Sequence, residues 1–569
     1  MARTVGIGYQ NFEDVITKQI FYIDKTHFIE EWWENKDQVT LITRPRRFGK
    51  TLNMSMLEQF FSKEYAGRGS LFEGLYIWEK EHYRELQGSY PVLSLTFANV
   101  KETTYSNAKT RICQILTDLY GKNRYLLESG FLTGVDKEFF QSVRPDMPEV
   151  VATFAVHKMS EYLSRYYQKK VIILLDEYDT PMQEAYVNGY WEEIVHFIRN
   201  MFNAAFKTNP FLERAVLTGI TRVSKESIFS DLNNINVVTS TSDLYAECFG
   251  FTEKEVFEAL DSFGLPDRKQ EVKTWYDGFR FGDKEDIYNP WSISNYLTEG
   301  KAKTYWANTS SNSLVSKLIR EGNKNIKQAF EGLLKGETLK TSIDEQIIYS
   351  QLGTDEQAIW SLLLASGYLK VIRYEEMKAD YAAGLAYDPE YELALTNLEV
   401  RLMFQNMVQG WFGTSMSDYH EFLRAMAAGN VKDMNGYMNR ITLQSFSYFD
   451  TGKFCQPERF YHGFVLGLVA SLSGRYRVTS NRESGFGRYD VMLEPRSLED
   501  AAVLMEFKVH DPEEEASLAD TAEAALAQIE EKNYAASLIG KNIPESRIHK
   551  YGFAFEGKKV LIKAGKLSA

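Results

Sequence analysis

Eight consecutive residues of this chain have the types and spacing needed to hold phosphate groups. Residues 44–51 read RPRRFGKT and follow the apolar run 39–42. A strand that turns through Gly-Lys-Thr into a helix presents backbone N–H groups and a helix N-terminus to an anion. We expect Lys50 to reach the β- and γ-phosphates of a nucleotide and the Thr51 hydroxyl to ligate Mg²⁺. The other residues expected to contact the nucleotide from this turn are Arg46, Arg47, Phe48 and Gly49.

One position departs from the general phosphate-loop pattern G-x-x-x-x-G-K-S/T. Arg44 stands where that pattern has its first glycine. Because Gly49, Lys50 and Thr51 make most of the phosphate contact, the departure weakens the match without removing it.

A second set of polar residues follows two apolar runs further along the chain. Residues 171–177 read VIILLDE, which is typical of a strand buried on both faces and ending in two carboxylates. Ligands of open α/β sheets gather at the carboxyl ends of strands, so Asp176 is expected to hold Mg²⁺ and Glu177 to polarise the attacking water. Thr218 ends the run 215–217 and is expected to sense the γ-phosphate, with Arg222 balancing charge nearby. The alternative is an ordinary strand exit with solvated acids.

A third set lies near the end of the sequence. Residues 483–490 read ESGFGRYD, and residues 503–508 read VLMEFK. Glu506 and Lys508 are two apart and therefore face the same side of a strand. Asp490 and Glu506 are expected to ligate Mg²⁺ or Mn²⁺ through hard oxygen atoms, and Lys508 to align the attacking water. Glu483 is expected to hold a second metal ion or to orient Lys508.

This third set fits metal-dependent hydrolysis of phosphodiesters. The tripeptide E-x-K alone occurs by chance in many chains, whereas its pairing with an aspartate on a second strand is more specific. The alternative is a salt-bridged pair on a solvated strand face.

Three regions are needed to position these residues. Residues 1–240 alternate between strands and helices and predict a parallel-sheet P-loop ATPase domain, with strands at 39–43, 92–97, 171–175 and 215–218. Residues 241–410 predict a helical lid and a winged-helix-like segment. Residues 411–569 predict an α/β domain. The fold class is therefore α/β throughout, with a mostly helical middle.

The middle region carries local signals of its own. Thr252 and Glu255 have the spacing of a capping box at a helix start. Aromatic and glycine residues at 275–282 and 288–292 predict a small hairpin packed on helices. A helix at 356–366, strands at 368–374 and 391–396, and a helix at 398–409 resemble a winged-helix module. This module is expected to bind DNA, to serve as a lid or hinge beside the ATPase, or simply to pack.

Composition sets limits without selecting a partner. The chain has 569 residues, 44% hydrophobic and 25% charged residues, and a formal net charge of −13. This acidic balance argues against nonspecific coating of nucleic acid, although it permits a local basic groove. The cysteines Cys113, Cys248 and Cys455 are isolated in sequence, which favours a reducing cytoplasm. No apolar run reaches 18 residues, so neither export nor membrane spanning is expected.

With all three sets in view, the chain resembles a family of bacterial proteins that join an AAA-ATPase-like domain to a C-terminal domain of the PD-(D/E)XK nuclease superfamily. The resemblance covers nearly the whole chain. It rests on residues 22–26, 44–51, 176–181, 217–222, 288–292, 483–490 and 506–508. It implies that Arg44 is the family's own version of the loop. It also implies an ATPase fold followed by a restriction-endonuclease-like αβββαβ core.

The sequence therefore favours an ATP- and Mg²⁺-dependent protein whose nuclease domain cleaves nucleic acid, with DNA favoured over RNA. The alternative is a nucleotide-switched protein that binds nucleic acid or signals without cleaving it. A translocating motor is disfavoured because helicase-type motifs are missing. The oligomeric state, including a homo-oligomer, is left open.

Overall fold

Two compact units make up the protein. The computed structural model describes residues 4–222, 228–229, 232–307, 313–344, 349–352, 355–375, 378–380, 385–387, 389–411, 416–449, 457–484, 487–497, 499–513 and 515–565. The first unit comprises Met1–Ser310 and Lys340–Glu399, and the second comprises Ser311–Leu339 and Val400–Ala569. The domain limits predicted at residues 240 and 410 stay predictions. Among the described residues, none of the helices is long and apolar enough to cross a membrane.

The first unit is built on a five-stranded parallel sheet. Its strands are β1 (Val39–Thr43), β2 (Val92–Thr96), β3 (Val171–Asp176), β4 (Leu212–Gly219) and β5 (Ile235–Val238). Their order is β2-β3-β4-β1-β5, and all neighbours are parallel. Four of these strands were predicted, and the predicted parallel α/β fold is confirmed. Because β4 lies between β1 and β3, the polar residues that follow these three strands share one edge of the sheet.

Helices cover this sheet, as its buried strands require. They are α1 (Phe12–Thr17), α2 (His27–Asn35), α3 (Lys50–Phe61), α4 (Tyr76–Glu79), α5 (Glu81–Arg84), α6 (Tyr105–Lys122), α7 (Tyr125–Glu128), α8 (Gly134–Ser142), α9 (Glu149–Tyr167), α10 (Thr180–Asn188) and α11 (Trp191–Phe202). Helix α3 packs its buried Leu57 and Phe60 into the same core as Ile172 and Leu174 of β3. This packing fixes where α3 begins relative to the sheet.

A small sheet and three helices follow. They are β6 (Phe251–Thr252), α12 (Glu253–Ser262), α13 (Lys269–Tyr276), β7 (Phe279–Phe281), β8 (Lys284–Tyr288) and α14 (Pro290–Glu299). The predicted capping box is confirmed, because Thr252 and Glu255 exchange side-chain and backbone hydrogen bonds. The predicted hairpin is confirmed as the antiparallel pair β7–β8.

The winged-helix-like segment has the predicted elements. Helices α15 (Ser313–Glu321) and α16 (Lys324–Lys335) precede it. They are followed by β9 (Leu339–Thr341), α17 (Glu356–Ala365), β10 (Leu369–Glu375), β11 (Lys378–Asp380), β12 (Leu385–Tyr387), β13 (Glu390–Leu395) and α18 (Leu398–Gly410). Strands β10 and β13 pair antiparallel, and β9 adds a third strand beside β13.

The second unit contains a mixed five-stranded sheet. Its remaining elements are α19 (Met416–Ala427), α20 (Val431–Phe449), α21 (Pro457–Leu472), β14 (Tyr476–Ser484), β15 (Gly487–Pro495), β16 (Ala502–Val509), α22 (Leu518–Glu531), α23 (Ala536–Ile539), β17 (Ile548–Glu556) and β18 (Lys559–Ala564). The strands follow chain order, and only β16 and β17 pair parallel. The sequence from α21 to β17 contains the expected αβββαβ core.

Candidate functional sites

The turn between β1 and α3 adopts the conformation of an anion-binding loop. Gly49 has a φ of +82° immediately before α3 begins at Lys50. This left-handed conformation is cheap for glycine and strained for other residues. Arg47 also has a positive φ, +66°. The first N–H groups of α3 have no partners within the helix, so they are available to a ligand at the carboxyl edge of the sheet.

The side chain of Lys50 contacts the backbone of this turn. Its Nζ donates hydrogen bonds to the carbonyl oxygens of Arg44 and Pro45, both at 2.8 Å. The residue is only 6% exposed, and burial lowers the pKa of its ammonium group. An ammonium group has three N–H donors, and two of them are used by these carbonyl oxygens. The third can donate a hydrogen bond to a phosphate oxygen.

Arg44 occupies the position where the general pattern has its first glycine, and its side chain has a structural role. Its side chain is fully buried, and its guanidinium donates to the carbonyl oxygens of Thr239 at 2.6 Å and Leu244 at 3.2 Å. It also lies 4.3 Å from the ring centroid of Phe281. Burial lowers the pKa of Arg44 to about 9. The guanidinium therefore fastens the loop to the segment that follows β5.

The other three loop residues divide by exposure. Arg46 and Arg47 are exposed, whereas Phe48 is buried. The Phe48 ring packs edge-on against Phe279 at 4.8 Å and Phe281 at 5.5 Å between ring centroids. Its side chain is thus committed to the hairpin β7–β8, and only its backbone is left to meet a nucleotide.

Asp176, the last residue of β3, connects this strand with the first turn of α3 and with β4. Thr51 Oγ1 donates to Asp176 Oδ2 at 2.6 Å, and Thr218 Oγ1 donates to Asp176 Oδ1. Asp176 is 5% exposed, and burial raises the pKa of its carboxyl. Two hydroxyls and a carboxylate thus converge beside the buried ammonium of Lys50. Hard oxygen ligands of this kind suit Mg²⁺ bound together with nucleotide phosphates.

Glu177 and Arg222 follow strands β3 and β4 in the chain. Glu177 follows β3 with a φ of +52° and accepts a hydrogen bond from Thr180 Oγ1 at 3.2 Å. Arg222 is half-buried. The structure therefore brings Thr51, Asp176 and Thr218 into direct contact. Glu177 comes directly after Asp176 in the chain.

Asp179 is a site residue to which sequence reasoning gave no role. It is 1% exposed, and its carboxylate accepts from the backbone N–H groups of Ile220 at 3.0 Å and Thr221 at 2.9 Å. Thr221 Oγ1 donates to the same oxygen at 2.9 Å. Burial raises the pKa of Asp179. This carboxylate therefore connects the loop after β3 with the loop after β4. The sequence signal that could have identified it is its position three residues after Asp176.

A second polar centre lies in the other unit, on β15 and β16. Val491 pairs with Met505 in the antiparallel ladder, so the same register puts Asp490 directly opposite Glu506 on the adjacent strand. The Phe507 N–H donates to Asp490 Oδ2 at 2.8 Å. Burial raises the pKa of the Asp490 carboxyl.

Glu506 is the more unusual carboxylate of this centre. It is 4% exposed, and its Oε1 accepts a hydrogen bond from Gln528 Nε2. Within the described residues its buried Oε2 has no hydrogen-bond partner. Burial, with the Asp490 charge, raises the pKa of Glu506 to about 8. A buried carboxylate oxygen without a donor is costly, so the pair fits a divalent cation.

Lys508 and Glu483 are the other two residues predicted for this centre. Lys508 is half-buried, and its charge favours the ionised forms of Asp490 and Glu506. Glu483 lies on β14 opposite Arg488, and its side chain is outside the description. Gln528 of α22 also belongs to this centre, through its hydrogen bond to Glu506.

Comparison with known proteins identifies the class of both domains. Residues 6–229 match a family model described as a predicted AAA-ATPase, and residues 456–565 match a model of the PD-(D/E)XK nuclease superfamily. The chain therefore carries an AAA-ATPase-like domain followed by a PD-(D/E)XK nuclease superfamily domain, as its sequence indicated. It is also 26% identical over 407 residues to an "Uncharacterized protein in vnfD 5'region" of Azotobacter chroococcum mcd 1. That similarity covers 70% of this chain and 68% of the relative.

Proposed function

We propose that the N-terminal domain binds and hydrolyses ATP with Mg²⁺. The observation that carries this proposal is the convergence of Thr51 and Thr218 on Asp176 beside the buried Lys50. Lys50 and the first N–H groups of α3 bind the phosphates. Thr51 and Asp176 hold Mg²⁺, which screens phosphate charge when it is bound.

The proposed hydrolysis needs a residue that orients water, and Glu177 has that role. Arg46 and Arg47 are exposed at the tip of the loop, where they meet the triphosphate or its surroundings. Thr218 senses the γ-phosphate through its contact with Asp176, and Arg222 balances charge at the same strand end.

Two substitutions test the ATPase. Lys50→Ala is expected to weaken binding of a fluorescent ATP analogue, because it removes the buried ammonium. Glu177→Gln is expected to lower turnover by roughly 10²–10⁴-fold while binding is kept, because general-base catalysis contributes about that much. The matched control is Glu192→Gln, an exposed carboxylate on α11. Full turnover in Glu177→Gln would mean that another residue orients the water.

We propose further that the C-terminal domain hydrolyses phosphodiester bonds of nucleic acid, with DNA favoured over RNA. The supporting observation is the buried Oε2 of Glu506 beside Asp490, which accepts no hydrogen bond from any described residue. Asp490 and Glu506 would hold a divalent cation, which would polarise the phosphate and lower the pKa of a bound water. Lys508 aligns the attacking water and offsets charge, and Glu483 holds a second cation or orients Lys508.

A cleavage assay tests the nuclease. Plasmid, linear duplex, single-stranded DNA and RNA are incubated with Mg²⁺ or Mn²⁺, with and without ATP. Cleavage is expected to disappear in Asp490→Ala and Lys508→Ala and to persist in Lys559→Ala, whose side chain is 79% exposed on β18. Cleavage that persists in Asp490→Ala would contradict the proposal. Tight binding without cleavage under all conditions would favour the nucleotide-switched binding protein instead.

A further inference from the structure

The residues 288–292, which read YNPWS, have so far no functional role. Asn289 is 1% exposed and begins α14 as its N-cap. Its Oδ1 accepts from the backbone N–H groups of Trp291 at 2.9 Å and Ser292 at 3.3 Å. Its Nδ2 donates in the opposite direction, to the Arg46 carbonyl oxygen in the phosphate loop at 3.3 Å. One side chain therefore connects the start of α14 with the loop.

A second contact joins the same two elements. The Arg47 guanidinium carbon lies 4.5 Å from the ring centroid of Trp291. Arg47 has a φ of +66°, a conformation that costs free energy for a residue with a Cβ atom. A cation–π contact of this kind favours the observed placement of the arginine. Arg46 and Arg47 are thus both held from α14, one through its backbone and one through its side chain.

Helix α14 is itself anchored by a buried carboxylate. Glu399 is fully buried and accepts a hydrogen bond from Ser292 Oγ at 2.8 Å. It also accepts from the Trp306 N–H at 2.7 Å. Burial raises the pKa of Glu399. Glu399 is the last residue of the first unit, so the anchor lies where the chain leaves that unit.

We propose that α14 is a positioning element of the nucleotide site, with Asn289 holding the phosphate loop and Glu399 fixing the helix. The proposal rests on the proposed ATP site. A loop whose carbonyl at residue 46 is held by Asn289 keeps its N–H groups directed at the phosphates and loses less conformational entropy on binding. By linkage, bound nucleotide stabilises the Asn289 contact as much as the contact favours nucleotide.

The experiment separates capping from positioning. Asn289→Ser keeps an N-cap acceptor of equal quality but cannot reach the Arg46 carbonyl. The control is Asn323→Ser, the same substitution at the N-cap of α16, where Asn323 Oδ1 accepts from the Ile326 N–H at 3.0 Å. The affinity of Mg²⁺ and a fluorescent ATP analogue is measured with the thermal midpoint and the turnover at saturation.

Asn289→Ser is expected to weaken nucleotide binding roughly fivefold, the equivalent of one ordinary hydrogen bond. Its thermal midpoint and saturated turnover stay near those of Asn323→Ser. Trp291→Ala is expected to weaken binding too, and Trp291→Phe to restore part of the affinity because a ring remains under Arg47. Unchanged affinity in both Asn289→Ser and Trp291→Ala overturns the proposal if Lys50→Ala weakens binding as expected. If Lys50→Ala binds normally, the ATP site itself is wrong.

If Asn289→Ser does not fold, Trp291→Ala and Trp291→Phe decide alone. A graded loss of affinity through these two variants supports the positioning role, and equal affinities contradict it.

Discussion

At the scale of single residues, burial decides what each candidate side chain can do. Lys50, Asp176 and Glu506 are each less than a tenth exposed, and their charged forms are disfavoured until a partner of opposite charge arrives. Burial lowers the pKa of Lys50 and raises the pKa values of the two carboxyls. In the proposed sites, a nucleotide phosphate would be the partner of Lys50, and a separate divalent cation would be the partner of each carboxylate.

The raised pKa of Glu506 predicts a stability that depends on pH. Its folded pKa of about 8 lies above the ordinary glutamate value near 4.3, so between these values the folded protein binds more protons than the unfolded chain. The free energy of unfolding therefore falls as pH rises from about 4 to 8. Glu506→Gln has no proton to lose, and at pH 8 without metal we expect it to be more stable than wild type by about 2–4 kcal/mol.

Thermal unfolding in EDTA at pH 5 and pH 8 checks this prediction, with Glu523→Gln as the control at an exposed position of α22. The gain should shrink at pH 5, where the wild-type carboxyl is protonated. Adding Mg²⁺ at pH 8 should stabilise wild type and leave Glu506→Gln nearly unchanged. A gain at pH 5 as large as the gain at pH 8 would exclude titration of Glu506 as the cause.

At the scale of elements, the sequence predicted what is local. The strands β1 and β3 are continuous apolar runs that end in polar residues, so their place and their functional ends were predictable. The capping box at Thr252 was predictable too, because it depends only on a glutamate three residues further along the chain. The four-residue strand β5 was missed because a short run carries little periodicity.

Contacts between distant segments were beyond the sequence. Arg44 meets Thr239 and Leu244 about 200 positions away, and Asn289 meets Arg46 across 243 positions. No periodicity or spacing encodes such pairs, since they depend on how strands are ordered in the sheet. The types of the site residues could thus be predicted, whereas the residues that hold them in place could not.

The close approach of α22 to β17 gives a prediction at this scale. A Cβ atom on Gly552 would lie 2.3 Å from the Ala522 carbonyl oxygen, which belongs to backbone and cannot turn aside. Gly552→Ala must therefore push α22 away and should destabilise the second unit by about 1–3 kcal/mol, the usual cost of overpacking. Because α22 carries Gln528, the contact with Glu506 should be lost as well.

Urea unfolding of the two variants measures this effect. Gly474→Ala is the matched control, because a Cβ atom there meets nothing within 4 Å. Equal stability of Gly552→Ala and Gly474→Ala would show that α22 tolerates a shift, against the expectation.

At the scale of the whole molecule, the second unit is assembled from two separate stretches of chain. Helix α16, from the stretch Ser311–Leu339, buries Ile326, Phe330 and Leu334. Phe330 packs edge-on against Phe404 at 5.0 Å between ring centroids. Glu331 is 4% exposed and accepts a hydrogen bond from Ser480 Oγ of β14 at 2.5 Å. The match to the nuclease superfamily begins only at residue 456. Helix α16 therefore belongs to this unit but lies outside the residues that match the superfamily.

This arrangement predicts that residues 400–569 do not fold stably by themselves. Each large apolar side chain of α16 that is removed from the core costs about 1.5–3 kcal/mol, and a domain has only about 5–15 kcal/mol to lose. A chain in which residues 311–339 are joined to residues 400–569 by a Gly/Ser linker should fold. The same fusion with Phe330→Asp should fail, because the substitution buries an unpaired charge. Circular dichroism and thermal unfolding compare the three chains, and cooperative unfolding of residues 400–569 alone would mean that α16 merely rests on a core complete without it.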